Sequence, residues 1–174
     1  TAKGGPSHVA IGRCSERLAG AEAYLPVLEV VESLVRGPAG STATRYLRTL
    51  APGWYTELFP TGTGGPAQEN AAERSQPRMK RELLAFLKEL SRHAPVVAFI
   101  DDIHWADLPT ADLLAYLGRH CPGLQLLLIV TYRRDELIQG NHPLLAAKRG
   151  LQGRGVCREL VLELLGPADI DRYL

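Results

Sequence analysis

An α/β fold with a mainly parallel sheet is predicted for this chain, and three observations predict it. Val96-Val97-Ala98-Phe99-Ile100 and Leu124 to Val130 are apolar runs too short for helices and too continuous for strands with one wet face, so both read as strands buried on two faces. Between them Leu113, Leu114, Tyr116 and Leu117 recur at helical spacing. Strand, helix, strand in this order is the βαβ unit of a parallel sheet covered by helices.

Size and composition agree with one packed domain: the chain has 174 residues, of which 45% are hydrophobic. Twenty Lys and Arg balance 19 Asp and Glu, and no basic recognition helix stands out. Direct nucleic-acid binding and attraction to anionic membranes are therefore disfavoured. No apolar run approaches the roughly 20 residues of a membrane span, and the first residues lack the pattern of a signal peptide. The expected location is cytoplasmic. Cys14, Cys121 and Cys157 form no C-x-x-C pair and have no His placed to complete a zinc site, so they read as free thiols in packing roles.

Along the chain, His8-Val9-Ala10-Ile11-Gly12 reads as a short strand. From Glu22, the apolar residues Leu25, Leu28, Val31, Leu34 and Val35 mark an amphipathic helix that Gly37-Pro38 stops. A second helix is expected over Thr42 to Leu50, and Pro52-Gly53-Trp54-Tyr55 reads as a turn. Thr61-Gly62-Thr63-Gly64-Gly65-Pro66 reads as a linker: a phosphate loop needs Lys-Ser or Lys-Thr opening a helix, and here Gln68-Glu69-Asn70 follows. Met79, Leu83, Leu84, Phe86, Leu87 and Leu90 form the core stripe of a long helix ended before Pro95. Asp107 is placed to cap the helix carrying Leu113, with Pro109 tolerated in its first turn. Pro143 to Leu151 reads as helix, Cys157 to Leu162 as another strand, and Pro167-Ala168-Asp169-Ile170 as the start of a further helix. Both ends look like cuts inside a larger protein, so residues 1–174 read as one partial domain.

The chemistry sits where the Val96 run ends. Asp101 and Asp102 emerge at the carboxyl end of a strand, the side on which open parallel sheets bind ligands. Such a pair suits two tasks, holding a hydrated Mg²⁺ and orienting the water that attacks a γ-phosphate. The plainer reading is that both carboxylates cap the following turn.

The string Phe99-Ile100-Asp101-Asp102-Ile103-His104-Trp105-Ala106-Asp107 resembles the Walker B region of bacterial STAND-type ATPases of the AAA-like group, modules attached to LuxR-type regulators, adenylate cyclases and some Ser/Thr kinases. The likeness continues through Leu113 to Leu117, Leu126 to Val130, Thr131-Tyr132-Arg133 and His142-Pro143-Leu144, and back to Gly12-Arg13-Cys14 with Tyr24-Leu25-Pro26. It implies a three-layer αβα sandwich of the P-loop NTPase kind and an ATP-dependent signalling switch. Asp101 would coordinate Mg²⁺, Asp102 would activate or position water, and Arg133 would sense the γ-phosphate, with Arg134 a less certain neighbour and His104 and Trp105 structural or coupling residues. The implied partners are attached sensor and output domains of the same protein.

One departure bears on activity. No G-x-x-x-x-G-K-[ST] string occurs, and neither Lys3 before Gly4-Gly5 nor Lys148 before Arg149 has the glycine spacing or the hydroxyl partner. The chain is thus read as a partial domain without the first strand and phosphate loop, using Mg-ATP in the parent protein and binding it weakly or not at all by itself. An ATP-independent interaction or scaffold module derived from an ATPase is the alternative. The family's strand order of five, one, four, three, two would leave the Leu124 to Val130 strand with an unpaired edge and uncovered apolar faces. Self-association through that edge, or an altered place for the Cys157 to Leu162 strand, is expected.

Overall fold

A computed structural model describes residues 7–18, 23–60, 75–140 and 142–163, together with 166, 169, 171 and 172. Strand β1 (His8–Arg13), strand β2 (Val96–Asp101) and strand β3 (Leu126–Val130) form a parallel sheet in the order β1-β2-β3. The α/β class and the existence of the two apolar strands are thus as the sequence predicts, but their burial on both faces is not, since Leu127 and Ile129 of β3 are exposed on one face and no residue of β3 is fully buried. Register aligns Val9 with Val97 and Leu127, and Ile11 with Phe99 and Ile129. Side chains alternate across a strand, so these six share one face, while Ala10, Val96, Ala98 and Ile100 are buried on the other.

Helix α1 (Leu25–Arg36) packs on the buried face, with α4 (Gln76–Ser91) beside it against β2. The start expected at Glu22 falls outside the described residues, as do the Thr61 to Pro66 linker, Lys3 and most of the helix expected at Pro167. Gly12 is what allows α1 to lie so close: a Cβ there would stand 2.0 Å from the Pro26 carbonyl oxygen. Helix α2 (Gly40–Leu50) begins two residues before the expected Thr42, and helix α5 (Leu108–His120) joins β2 to β3. The core runs through Val31, Leu34, Leu47, Leu83, Phe86, Leu90 and Leu113.

Two further expectations need correction, and one helix has no counterpart in the sequence reading. Pro52-Gly53-Trp54-Tyr55 is not a turn but opens helix α3 (Pro52–Leu58), because Pro at the first helical position costs no hydrogen bond and Glu82 Oε2 accepts from the Gly53 amide at 2.9 Å. Arg134 to Gln139 forms a short helix, α6, for which too few apolar positions signal a period. Cys157 to Leu162 forms no strand. Among the described residues no strand lies beside it to share a ladder, and Leu160, Val161 and Leu162 are 74%, 75% and 89% exposed. Side chains hold the segment instead: Glu159 accepts hydrogen bonds from Lys148 Nζ at 2.8 Å and from the Tyr132 hydroxyl. Those two donors bring the Glu159 carboxyl down to about 2. Lys148 lies on helix α7 (Leu144–Gln152), which packs on α5.

The open face is apolar. Val9 and Ile11 are both 60% exposed, with Leu127 at 55% and Ile129 at 41%. No helix among the described residues is long and apolar enough to cross a membrane.

Candidate functional site

Three strand ends meet at the carboxyl edge of the sheet. β2 delivers Asp101 between Arg13 at the end of β1 and Thr131 just past β3. The Thr131 hydroxyl donates to Asp101 Oδ1 at 2.5 Å, and Arg13 Nη2 donates to Oδ2 at 3.1 Å. The Thr131 hydrogen bond is the main cause that holds the Asp101 carboxyl below its ordinary range, with Arg13 adding to it against partial desolvation. Thr131 also accepts from the Asp102 amide at 2.9 Å, so one hydroxyl orients both acidic residues.

Asp102 sits in the left-handed region, at φ 56° and ψ 40°. Asp tolerates that region better than most residues, and the bend turns its side chain out of the strand line. Its carboxylate is 40% exposed. The 3₁₀ turn Ile103–Trp105 follows, then Asp107, whose Oδ1 accepts from the Thr110 amide at 2.7 Å and whose Oδ2 accepts from the Tyr24 amide at 3.2 Å. The predicted cap therefore also ties α1 to α5. His142 binds the same turn from below, Nε2 donating to the Ala106 carbonyl at 3.0 Å while Nδ1 accepts from the Leu144 amide at 3.2 Å.

Arg133 reaches this edge only through intermediaries. Its amide lies 3.4 Å from Nδ1 of the fully buried His104 ring, which stands 3.9 Å from Asp102 Oδ1. Accepting at Nδ1 puts the ring proton on Nε2, and Nε2 lies 3.2 Å from Glu136 Oε2. The other Glu136 oxygen receives Arg133 Nη1 at 3.0 Å. Glu136 therefore holds the guanidinium through one oxygen, while its other oxygen and His104 Nε2 lie buried side by side without a hydrogen bond, and the Arg133 side chain, 70% exposed, is directed to α6 rather than to the Asp pair. Arg134 is the first residue of α6.

Sequence reasoning brought out Asp101, Asp102 and Arg133, gave His104 a structural or coupling role, and assigned no role to Thr131, Arg13 or Glu136. Thr131 and Arg13 each stand at a strand end beside Asp101 in the sheet, a neighbourhood that only the register reveals. Glu136 lay in a stretch with no periodic signal.

The donor set suits a hard divalent cation. Mg²⁺ takes oxygen ligands, keeps several waters and needs only one or two carboxylates. Asp101 and the exposed Asp102 are the carboxylates at the strand end; Arg13 competes with a cation for Asp101 Oδ2. Among the described residues no group of three or more His, Cys, Asp or Glu side chains converges.

Cys14 follows β1 into this region as a buried thiol. Desolvation, with the nearby Asp107, Glu29, Asp102 and Asp101 charges, pushes it up to about 12. It is a packed group and no nucleophile.

Thr131→Val keeps the side-chain shape and removes the hydroxyl. It is expected to cost about 1–3 kcal/mol, because the Asp102 amide loses its acceptor and Asp101 a donor. Asp101 has a lowered pKa when folded, so its contribution is complete above the ordinary carboxylate range and fades as pH falls through the folded value. Urea titrations should show a constant gap between wild type and variant above about pH 5 and a narrowing gap below it. A gap independent of pH down to unfolding contradicts the assignment.

No curated protein and no solved structure matched the chain. A family model described as AAA ATPase domain matches residues 3–130, which takes in β1, the Asp101–Asp102 pair and all of β3. That match covers most of the sequence, and the chain belongs to the AAA ATPase domain family.

Proposed function

We propose that this chain is the part of an ATP-dependent signalling switch that carries its Walker B and sensor elements. The observation that carries the reading is the Asp101–Asp102 pair at the carboxyl end of the middle strand, oriented by the single Thr131 hydroxyl. In this reading Asp101 holds Mg²⁺, Asp102 orients the attacking water from its bent backbone position, and Arg133 contacts the γ-phosphate. Mg²⁺ held there would supply charge neutralisation at the triphosphate oxygens. With a cation on Asp101, Arg13 would give up its bond to that carboxylate for solvent or phosphate, and Arg133 would give up Glu136 for phosphate. Two ion pairs would thus change partners with the nucleotide, which suits a switch that passes its state to attached sensor and output domains.

The second reading, an ATP-independent scaffold, draws on the absence of a G-x-x-x-x-G-K-[ST] string from these 174 residues. Calorimetric titration of Mg-ATP separates the two, using the protein extended upstream through any glycine-rich loop that lies about 20 to 40 residues before Thr1. Asp101→Asn is expected to weaken Mg-ATP binding at least about tenfold, whereas Asp102→Asn should retain binding and lose hydrolysis. Equal binding by wild type and Asp101→Asn refutes the metal role. No binding by the extended wild type supports the scaffold.

A further inference from the structure

We propose that the outer edge of β1 and the adjoining stripe of α1 form a two-fold interface with a second copy of this chain. His8 donates to the Pro95 carbonyl at 2.8 Å and Cys14 to the Asp101 carbonyl at 2.9 Å, so alternate residues His8, Ala10, Gly12 and Cys14 serve the ladder to β2. The backbone groups of Val9, Ile11 and Arg13 point outward. Glu29 Oε2 takes the Arg13 amide at 2.7 Å and closes that end of the edge. The amides and carbonyls of Val9 and Ile11 have no backbone partner among the described residues.

These two residues open on a cavity of about 590 Å³ whose other wall is α1, through Glu29, Glu32, Ser33 and Arg36. That spacing of three, four and seven residues is one helix stripe, and it lies beside the free strand edge. Two-fold antiparallel pairing centred on Ala10 sets Val9 opposite Ile11 of the second copy. Each such pair exchanges both backbone bonds, so the open donors and acceptors satisfy one another.

The same axis explains the charges. Glu29 and Arg36 are equidistant from the point between Glu32 and Ser33, so an antiparallel copy of α1 brings Arg36, which pairs with Glu32 of its own helix at 2.6 Å, opposite Glu29 of the second copy. Gly12 abuts Pro26 and Val30, and Arg13 meets Glu29. A strand rises about 3.3 Å per residue and a helix about 1.5 Å; moving from Gly12 to Ala10 therefore advances between four and five helix residues, to the level of Ser33. One axis thus serves strand and helix. An unrelated strand could satisfy the backbone groups, but a second copy also supplies the complementary charge order.

Sedimentation equilibrium on the chain is expected to show a monomer–dimer equilibrium. Ile11→Pro removes one outward amide and leaves the ladder to β2 intact, and it should abolish the dimer with an unchanged far-UV dichroism spectrum. Arg36→Glu should weaken dimerisation about tenfold, and the swapped pair Glu29→Arg with Arg36→Glu should restore it. The surface charge variants give a reading even if the proline variant fails to fold. A strict monomer, a dimer indifferent to both Ile11→Pro and Arg36→Glu, or a dimer abolished instead by Leu128→Pro on the β3 edge overturns the proposal.

Discussion

Trp54→Ala is expected to lower the unfolding free energy by about 3–5 kcal/mol, the cost of truncating a large, fully buried aromatic side chain. Trp54 is 0% exposed and lies between elements distant in sequence. Its indole N–H donates to the Met79 carbonyl on α4 at 2.8 Å, and its ring meets Tyr24 at 5.4 Å between centroids. Removing the ring leaves a cavity where α3 meets α4 and α1, and it leaves the Met79 carbonyl with one partner fewer. Trp54→Phe separates the two effects: most of the volume remains and the indole donor is lost, so about 1–3 kcal/mol is expected from the hydrogen bond. Urea unfolding followed by far-UV dichroism checks both. Equal losses for Phe and Ala assign the effect to the hydrogen bond alone and contradict a cavity cost.

Gly12→Ala is the second large effect. The added Cβ would lie 2.0 Å from the Pro26 oxygen and 3.0 Å from a Val30 methyl, and the nearest of these is backbone, which cannot rotate away. Overpacking of a tight site costs about 1–3 kcal/mol, and here the relief must come from moving α1 off β1. Two consequences should appear together in one variant. The melting temperature falls, and Glu29, carried by α1, no longer protects the Arg13 amide from hydrogen exchange. Loss of stability with full protection at Arg13 would mean that the helix stays and the strand distorts instead.

How much of this molecule was legible in its sequence follows from the kind of signal each part carries. The β2 and β3 runs and the stripe from Met79 to Leu90 repeat with a period, and burial imposes that period directly on residue choice. Asp107 could be read as a cap because a cap is a local bond, here to the Thr110 amide three residues on. Asp101 and Asp102 were legible for a similar reason, since carboxylates directly after an apolar strand mark its carboxyl end. The Pro52 helix was misread because Pro and Gly punctuate turns and helix starts alike, and only Trp54 packing on α4 decides between them. The Cys157 to Leu162 segment was misread because alternation or apolarity describes a strand's face and says nothing of whether a neighbouring strand exists.

The sequence by itself determined the α/β class, the strand that carries the acidic pair, and the identity of Asp101, Asp102 and Arg133 as the residues to watch. Tertiary structure alone decided that Thr131 and Arg13 flank Asp101, that Glu136 holds Arg133 through one oxygen while the other meets His104, and that the edge of β1 stays open beside a charged stripe of α1. Local signals end within about one helical turn or a strand pair of the residue that emits them. Thr131 lies 30 residues from Asp101 and Arg13 lies 88 away, so only the sheet register could bring them together.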